Sequence, residues 1–293
     1  MPLLPVSEME RLSPVFRGKA GNMLAAFLRK VLSVSTLSDL NDKFSHLEGA
    51  EFAGALLKEL RINYKLGYPE RLAELPEGPF ITVSNHPYGS IDGVILVDLI
   101  CHLRDGFKVM VNEFLDMVKP LASRWIVVNP KTDASNGVTG KSVQGVRKVL
   151  THLHSGEPIG LFPSGAVSDL SLKEMKIRDR EWQESVIRLI KKAEVPIVPI
   201  RFFDHNSFWF YELGLIDWRI RTLQLPHEVV NKKHRRVRVG IGETLTVEQQ
   251  KEHASIEDFG AWLRSAVYDM PKPYEWMQYN DYVAARDTKN REI

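Results

Sequence analysis

Phe80-Ile81-Thr82-Val83-Ser84-Asn85-His86-Pro87-Tyr88-Gly89-Ser90-Ile91-Asp92-Gly93 decides the fold. Phe80 to Ser84 is a short run rich in β-branched and aromatic residues, which predicts a strand. Pro87 fixes its own φ and lacks an N–H, and Gly89 tolerates any φ, so the chain turns there. From Gly93 an apolar run continues to Leu103, interrupted at Asp98, and predicts a helix. A strand that runs through a Pro/Gly turn into a helix is the unit from which α/β layers are built.

The same texture continues downstream. Phe107–Val111, Trp125–Val128, Ile159–Phe162 and Ile197–Phe203 read as strands, with Val237–Ile241 as a late one. Val143, Val146, Val149, Leu150 and Leu153 repeat at helical spacing, as do Trp182, Val186, Leu189 and Ile190, and Ile256–Met270 reads as a closing helix. Strands alternating with helices predict the α/β class, with a largely parallel central sheet flanked by helices. Upstream the pattern is helical only: Phe52–Leu60 is one segment, and Met23, Phe27, Leu28, Val31 and Leu32 mark the face of another. The chain therefore divides into an N-terminal helical appendage, residues 1–65, and a domain over 66–293. The polar stretch from Asp281 to Ile293 is expected to fray.

Composition bounds the function. A chain of 293 residues with 44% apolar and 26% charged residues buries a full core. A net charge of +2 gives no global field for nucleic acid. Cys101, the single cysteine, excludes an intramolecular disulfide framework and a multi-cysteine zinc site. No run reaches the ~18–20 apolar residues that span a bilayer, and Met1 to Met9 lacks the pattern of a secretory signal. Gly140-Lys141-Ser142 resembles the end of a phosphate loop, but Ser135 stands where that pattern needs glycine. No Gly-x-Ser-x-Gly elbow occurs.

The chemistry concentrates at two turns. His86 follows a predicted strand, and ligands of open α/β sheets sit beyond the carboxyl ends of strands. An imidazole takes a proton near neutral pH, and a carboxylate across the turn, Asp92, can fix its tautomer and stabilise the imidazolium. This is a base and its orienter without a nucleophile, which suits a substrate that brings its own hydroxyl. The second turn, Phe162-Pro163-Ser164-Gly165, also follows a strand and can present backbone N–H groups to an oxyanion or a polar headgroup.

The order Asn-His-Pro-x-Gly-x-x-Asp-Gly, then Phe-Pro-x-Gly-x-Val-Ser, then Val195-Pro196-Ile197-Val198-Pro199-Ile200, resembles the glycerol-phosphate and lysophospholipid acyltransferase superfamily. Within it the likeness is to the hemolysin-like branch that includes lyso-ornithine-lipid acyltransferases. It covers roughly residues 60–245 and takes in Asn206-Ser207, Phe210, Leu213-Gly214-Leu215, Arg221, Leu225-Pro226 and Asn231-Lys232. The resemblance implies that His86 deprotonates an acceptor hydroxyl, which attacks an acyl thioester on acyl carrier protein or coenzyme A, and that Asp92 supports it. It assigns acceptor contacts to Asn85, Phe162, Pro163, Ser164 and Gly165, without metal or redox cofactor.

Three departures refine this expectation. Five residues separate His86 from Asp92 where the superfamily motif has four. Ser164 replaces a glutamate, and the arginine of many relatives is absent after the third strand, where Lys131 supplies charge but no bidentate fork. These favour an aminoacyl lysolipid, of ornithine or glycine type, over glycerol 3-phosphate. Acylation of lysophosphatidate and a lipid-binding role without catalysis stay open; retention of both His86 and Asp92 argues against the latter. A lipid product implies peripheral work on a membrane, at the cytoplasmic face of a bacterial inner membrane. The basic stretch Arg17–Leu32 and the run Lys232–Arg238 are the charged candidates for that contact. Phe208-Trp209-Phe210-Tyr211 reads either as an interfacial patch or as buried packing.

Overall fold

The computed structural model describes residues 17–19, 21–23, 33–128, 140–216, 218–232 and 235–291. The helices α1 (Val34–Lys43) and α2 (Gly49–Glu59) lead into β1 (Lys65–Gly67). β2 (Ile81–Ser84) leads through the Pro/Gly turn into α3 (Ser90–Cys101). There follow β3 (Lys108–Asn112), β4 (Trp125–Val128), α4 (Gly140–His154) and β5 (Ile159–Leu161). A hairpin, β6 (Asp169–Ser171) and β7 (Lys176–Arg178), precedes α5 (Glu184–Ala193) and β8 (Ile197–Phe202). Three short helices come next, α6 (Phe208–Ile216), α7 (Trp218–Leu223) and α8 (Leu225–Val230). The chain closes with β9 (Arg238–Ile241), α9 (Val247–Lys251), α10 (Ile256–Tyr268), β10 (Met277–Gln278) and α11 (Tyr279–Arg291).

Eight strands form one sheet in the order β10-β1-β9-β8-β2-β5-β3-β4. The block β8-β2-β5-β3-β4 is parallel throughout, with Ile81 paired to Ile159 on one side and to Ile197 on the other. β9 joins β8 antiparallel and β1 parallel, and β10 closes the edge antiparallel to β1. The predicted strands fall within a residue of those observed at either end. The three-residue β1, the hairpin and β10 carry too little pattern to announce themselves.

Alternation along the strands distributes apolar side chains to two layers. In β8, Val198, Ile200 and Phe202 join the core beneath α2 and α3, whereas Ile197 joins the core beneath α4, α5 and α10. α3 is buried nearly all round, which its mostly apolar sequence requires. Asp98, the interruption in that run, is satisfied inside: its Oδ2 accepts a hydrogen bond from Tyr64 at 2.8 Å. α5 instead buries only one stripe, Val186, Ile187, Leu189 and Ile190.

Three expectations are corrected or displaced. The polar tail from Asp281 does not fray but forms α11, because Tyr279 anchors its first turn. That ring stacks on Tyr64 at 4.5 Å, and its hydroxyl donates to the Asp98 carbonyl. The basic run Lys232–Arg238 is not one charged surface. Lys232 is buried with Glu228 and Asn206, Arg238 is paired bidentately with Asp204, and Arg235 and Arg236 are exposed. Lys131 and the residues Phe27, Leu28, Val31 and Leu32 lie outside the described residues.

Candidate active site

The carboxyl ends of β2, β5 and β8 lie on one edge of the sheet because the three strands are parallel. His86 stands just past β2, and Phe162 just past β5. Their rings stack with centroids 4.2 Å apart and planes inclined by 29°, so the two motif turns meet.

Asp92 is the third residue of α3, and its side chain reaches back over the turn. Its Oδ2 accepts the N–H groups of Tyr88 at 2.9 Å and Gly89 at 3.0 Å. The same oxygen lies 2.9 Å from His86 Nδ1. That is hydrogen-bond distance, but the ring is turned so that its N–H misses the oxygen's line. Such contacts tighten when substrate binds. The five-residue spacing thus wraps a longer turn around one carboxylate without losing the contact. Gly89 makes the wrap possible with φ at 81°, and a Cβ there would meet Leu225 at 3.1 Å and Val167 at 3.3 Å. The Asp92 side chain is fully buried, and burial pushes its carboxyl up from the ordinary value. His86 and the two N–H groups pull it back down only in part. Nδ1 is itself buried, while the His86 side chain keeps 18% exposure, so Nε2 at the far side of the ring is the nitrogen left to a substrate.

The backbone of His86 is held as firmly as its ring. Its N–H donates to Asp179 Oδ1 at 3.1 Å, and its carbonyl accepts from Ser168 N–H at 2.9 Å. Ser168 Oγ also donates to Asp179 Oδ1, at 2.6 Å, and Trp182 Nε1 donates to Oδ2 at 3.2 Å. Asp179 is therefore a buried carboxylate joining the histidine turn to the segment beyond the second motif. Sequence reasoning missed it. Asp179 stands 93 residues from His86 and belongs to none of the motifs quoted above.

The remaining expected residues have definite places. The Asn85 amide is reciprocally bonded to the Phe202 backbone, giving its N–H at 2.9 Å and accepting the Phe202 N–H at 2.8 Å. It clips β2 to β8 beside the histidine. Pro163 O accepts Gln183 N–H at 2.9 Å, Ser164 Oγ donates to Ala166 O at 2.7 Å, and Gly165 takes φ 63°. A Cβ on Gly165 would sit 2.1 Å from Gln183 Nε2, so beside the strain of its positive φ a larger residue would have to push the Gln183 amide aside. Arg221 donates to Ser168 O at 3.3 Å and pairs with Asp169, and Tyr211 donates its hydroxyl to Pro87 O at 3.1 Å. Arg221, noted only as part of the wider likeness, and Tyr211, from the aromatic run that reads as patch or packing, therefore roof the same turn. Among the described residues no cluster of three or more His, Cys, Asp or Glu side chains is arranged to hold a metal ion.

This arrangement can orient a neutral imidazole, accept a proton on Nε2 and stabilise the cation that results. Comparison with known proteins bears on which reaction uses it. Residues 10–273 match the family described as acyltransferase. The lyso-glycine lipid O-acyltransferase of Bacteroides thetaiotaomicron is 25% identical over 255 residues, covering 84% of this chain and 89% of its own. The lyso-glycine lipid O-acyltransferase of Phocaeicola vulgatus is 24% identical over 255 residues, 84% of this chain and 87% of its own. Among solved structures, the 1-acyl-sn-glycerophosphate acyltransferase PlsC of Thermotoga maritima aligns with a TM-score of 0.45 at 15% identity, over 75% of this chain and 79% of its own.

Proposed function

The chain belongs to the acyltransferase family, and from that premise we propose that it moves a fatty acyl group from a thioester to the hydroxyl of a lysolipid with a glycine-type headgroup. The observation that carries the reading is His86 Nδ1 set 2.9 Å from the buried Asp92 carboxylate at the sheet edge, with Nε2 left outward. Nε2 takes the proton of the acceptor hydroxyl as its oxygen attacks the thioester carbonyl. The C–S bond then breaks, the thiolate of acyl carrier protein or coenzyme A leaves, and the imidazolium returns the proton to it. Asp92 stabilises the imidazolium formed between these events. Phe162 backs the ring, while Ser164, Gly165 and Lys131 are the acceptor contacts of this reading. The glycine headgroup rests on the two relatives and agrees with Ser164 in place of a glutamate. Work at a membrane surface follows from the substrate, since no helix among the described residues is long and apolar enough to cross one.

The test is acyl transfer by the purified chain with lyso-glycine lipid, lyso-ornithine lipid and lysophosphatidate in identical mixed micelles. Each acceptor is paired with acyl carrier protein and coenzyme A thioesters, and thiol release is followed together with product mass. Lyso-glycine lipid is expected to give the highest kcat/KM. A clear preference for lysophosphatidate would overturn the headgroup assignment, and failure of every lysolipid would overturn the reaction.

A further inference from the structure

Seven of the eleven large apolar side chains exposed among the described residues lie on three neighbouring elements. Phe208, Trp209, Leu215, Ile216 and Leu223 are on α6 and α7, and Leu172 and Met175 are in the β6–β7 hairpin. α6 packs against both α7 and β6, so the three elements form one surface. Within α6, Phe208 and Leu215, and likewise Trp209 and Ile216, stand two helical turns apart and share a face. Trp209 is 64% and Ile216 75% exposed, whereas Phe210 and Tyr211, on the other side of the same helix, are 1% exposed. The helix thus has its core contact already and carries a second apolar face that stays exposed among the described residues. Scattered apolar residues need no explanation, but a contiguous patch marks an interaction site.

Its place in the topology says what covers it. The hairpin leaves the carboxyl end of β5 and the α6–α7 pair leaves that of β8. Both therefore rise from the sheet edge that holds His86, and both are bonded to its turn: Ser168 N–H to His86 O, Tyr211 hydroxyl to Pro87 O, and Arg221 to Ser168 O. The charge at the patch matches an anionic surface. Lys173 and Lys176 follow Leu172 and Met175 in the hairpin, exposed and in no ion pair among the described residues, while Glu174 between them is paired with Arg178. Glu212 lies exposed within the α6 face, which suits a shallow seat among headgroups rather than a position among acyl chains.

We infer that α6, α7 and the β6–β7 hairpin form a lipid-docking surface that sets the His86 edge of the sheet against an anionic bilayer. This rests on the reading of the protein as a lysolipid acyltransferase and assigns the membrane contact to these elements, not to the Lys232–Arg238 run. Aromatic and aliphatic side chains enter the interface, and Lys173 and Lys176 meet lipid phosphates.

The test uses the full-length protein, vesicles of phosphatidylcholine with and without phosphatidylglycerol, and two variants, Trp209→Glu/Ile216→Glu and Leu172→Asp/Met175→Asp. All four positions are exposed and none is in the catalytic turn, so melting temperatures should match the parent protein. Each variant is expected to bind phosphatidylglycerol vesicles at least about tenfold more weakly. Turnover should fall in parallel on lysolipid held in vesicles but not on a short-chain lysolipid below its micelle concentration. Vesicle binding unchanged in both variants would overturn the assignment. So would an equal loss of turnover on the monomeric substrate, or a parent dimer that becomes monomeric in the variants while vesicle binding persists. If the parent protein acylates no lysolipid, yet its vesicle binding still depends on these residues, docking stands and the reaction reading falls.

Discussion

His86 owes its part to three contacts from three places in the chain: Asp92 at its ring, Asp179 at its N–H and Ser168 at its carbonyl. Replacing it with Ala should lower acyl transfer by about 10²–10⁴-fold, the usual worth of a positioned general base. KM for the acceptor should change little, because the backbone grip and the Phe162 turn remain. The measurement is steady-state kinetics beside a thermal melt, and a well-folded variant of near-normal turnover would refute the assignment. Of these contacts the sequence disclosed one. His86 and Asp92 share a turn, and a base with a carboxylate across a Pro/Gly turn is a local pattern. Asp179 and Ser168 are distant partners that only the crossing of β5 and the hairpin brings to β2. Asn85 shows the converse limit. Its position beside the histidine was legible, but its pairing with Phe202 depends on which strand neighbours β2, and that is set by sheet order.

At the scale of the element, what was legible followed from side-chain period. The central strands are short continuous apolar runs because both faces are covered, and α5 and α10 show one apolar stripe each because one side meets water. The antiparallel insertion of β9 next to β8 was not legible, since strand direction leaves no mark on a four-residue run. α11 was misread because its composition is polar, and Tyr279 at its start, with Tyr282 and Val283 packed on the core, supplies the anchorage. The Phe162–Gly165 turn lends itself to direct test. Gly165→Ala would place an L-residue at φ 63° and drive a Cβ into Gln183. The left-handed backbone alone costs about 1–2 kcal/mol, and the Cβ also displaces the Gln183 side-chain amide from Ser164 O. A lower denaturation midpoint is expected, with kcat reduced because Phe162 no longer backs His86 squarely. Unchanged stability and turnover would mean that this turn does not brace the ring.

Across the whole molecule, the roof over the sheet edge comes from chain segments far apart in sequence, and a buried ion pair sits among them. Lys232 is 1% exposed, with Glu228 Oε2 at 3.0 Å, a bond to Asn206 and the Tyr88 ring centroid at 5.1 Å. Glu228 also accepts the Ser207 N–H at 3.0 Å and its hydroxyl at 2.5 Å. The pair therefore ties α8 to the loop after β8 and to the His86 turn. Burial alone would raise the Glu228 carboxyl, but Lys232 and the Ser207 bonds outweigh it and leave it below the ordinary value. A depressed folded value means that the unfolded chain binds the proton more tightly. The stability Glu228 contributes is then present in full above the unfolded carboxylate range, and it fades as pH falls through that range towards the lower folded value. Glu228→Gln should remove this dependence and, at neutral pH, strand Lys232 as an uncompensated buried charge, at a cost of about 3–5 kcal/mol. Urea midpoints at pH 7 and pH 4 should separate the two effects, with a large loss at pH 7 and a smaller gap between variant and parent at pH 4. Glu228→Leu/Lys232→Met, which removes both charges, should be more stable at pH 7 than Glu228→Gln, because no charge is left buried alone. A double variant no better than Glu228→Gln would show that the cost lies in lost packing or lost bonds to Ser207 rather than in the orphaned lysine.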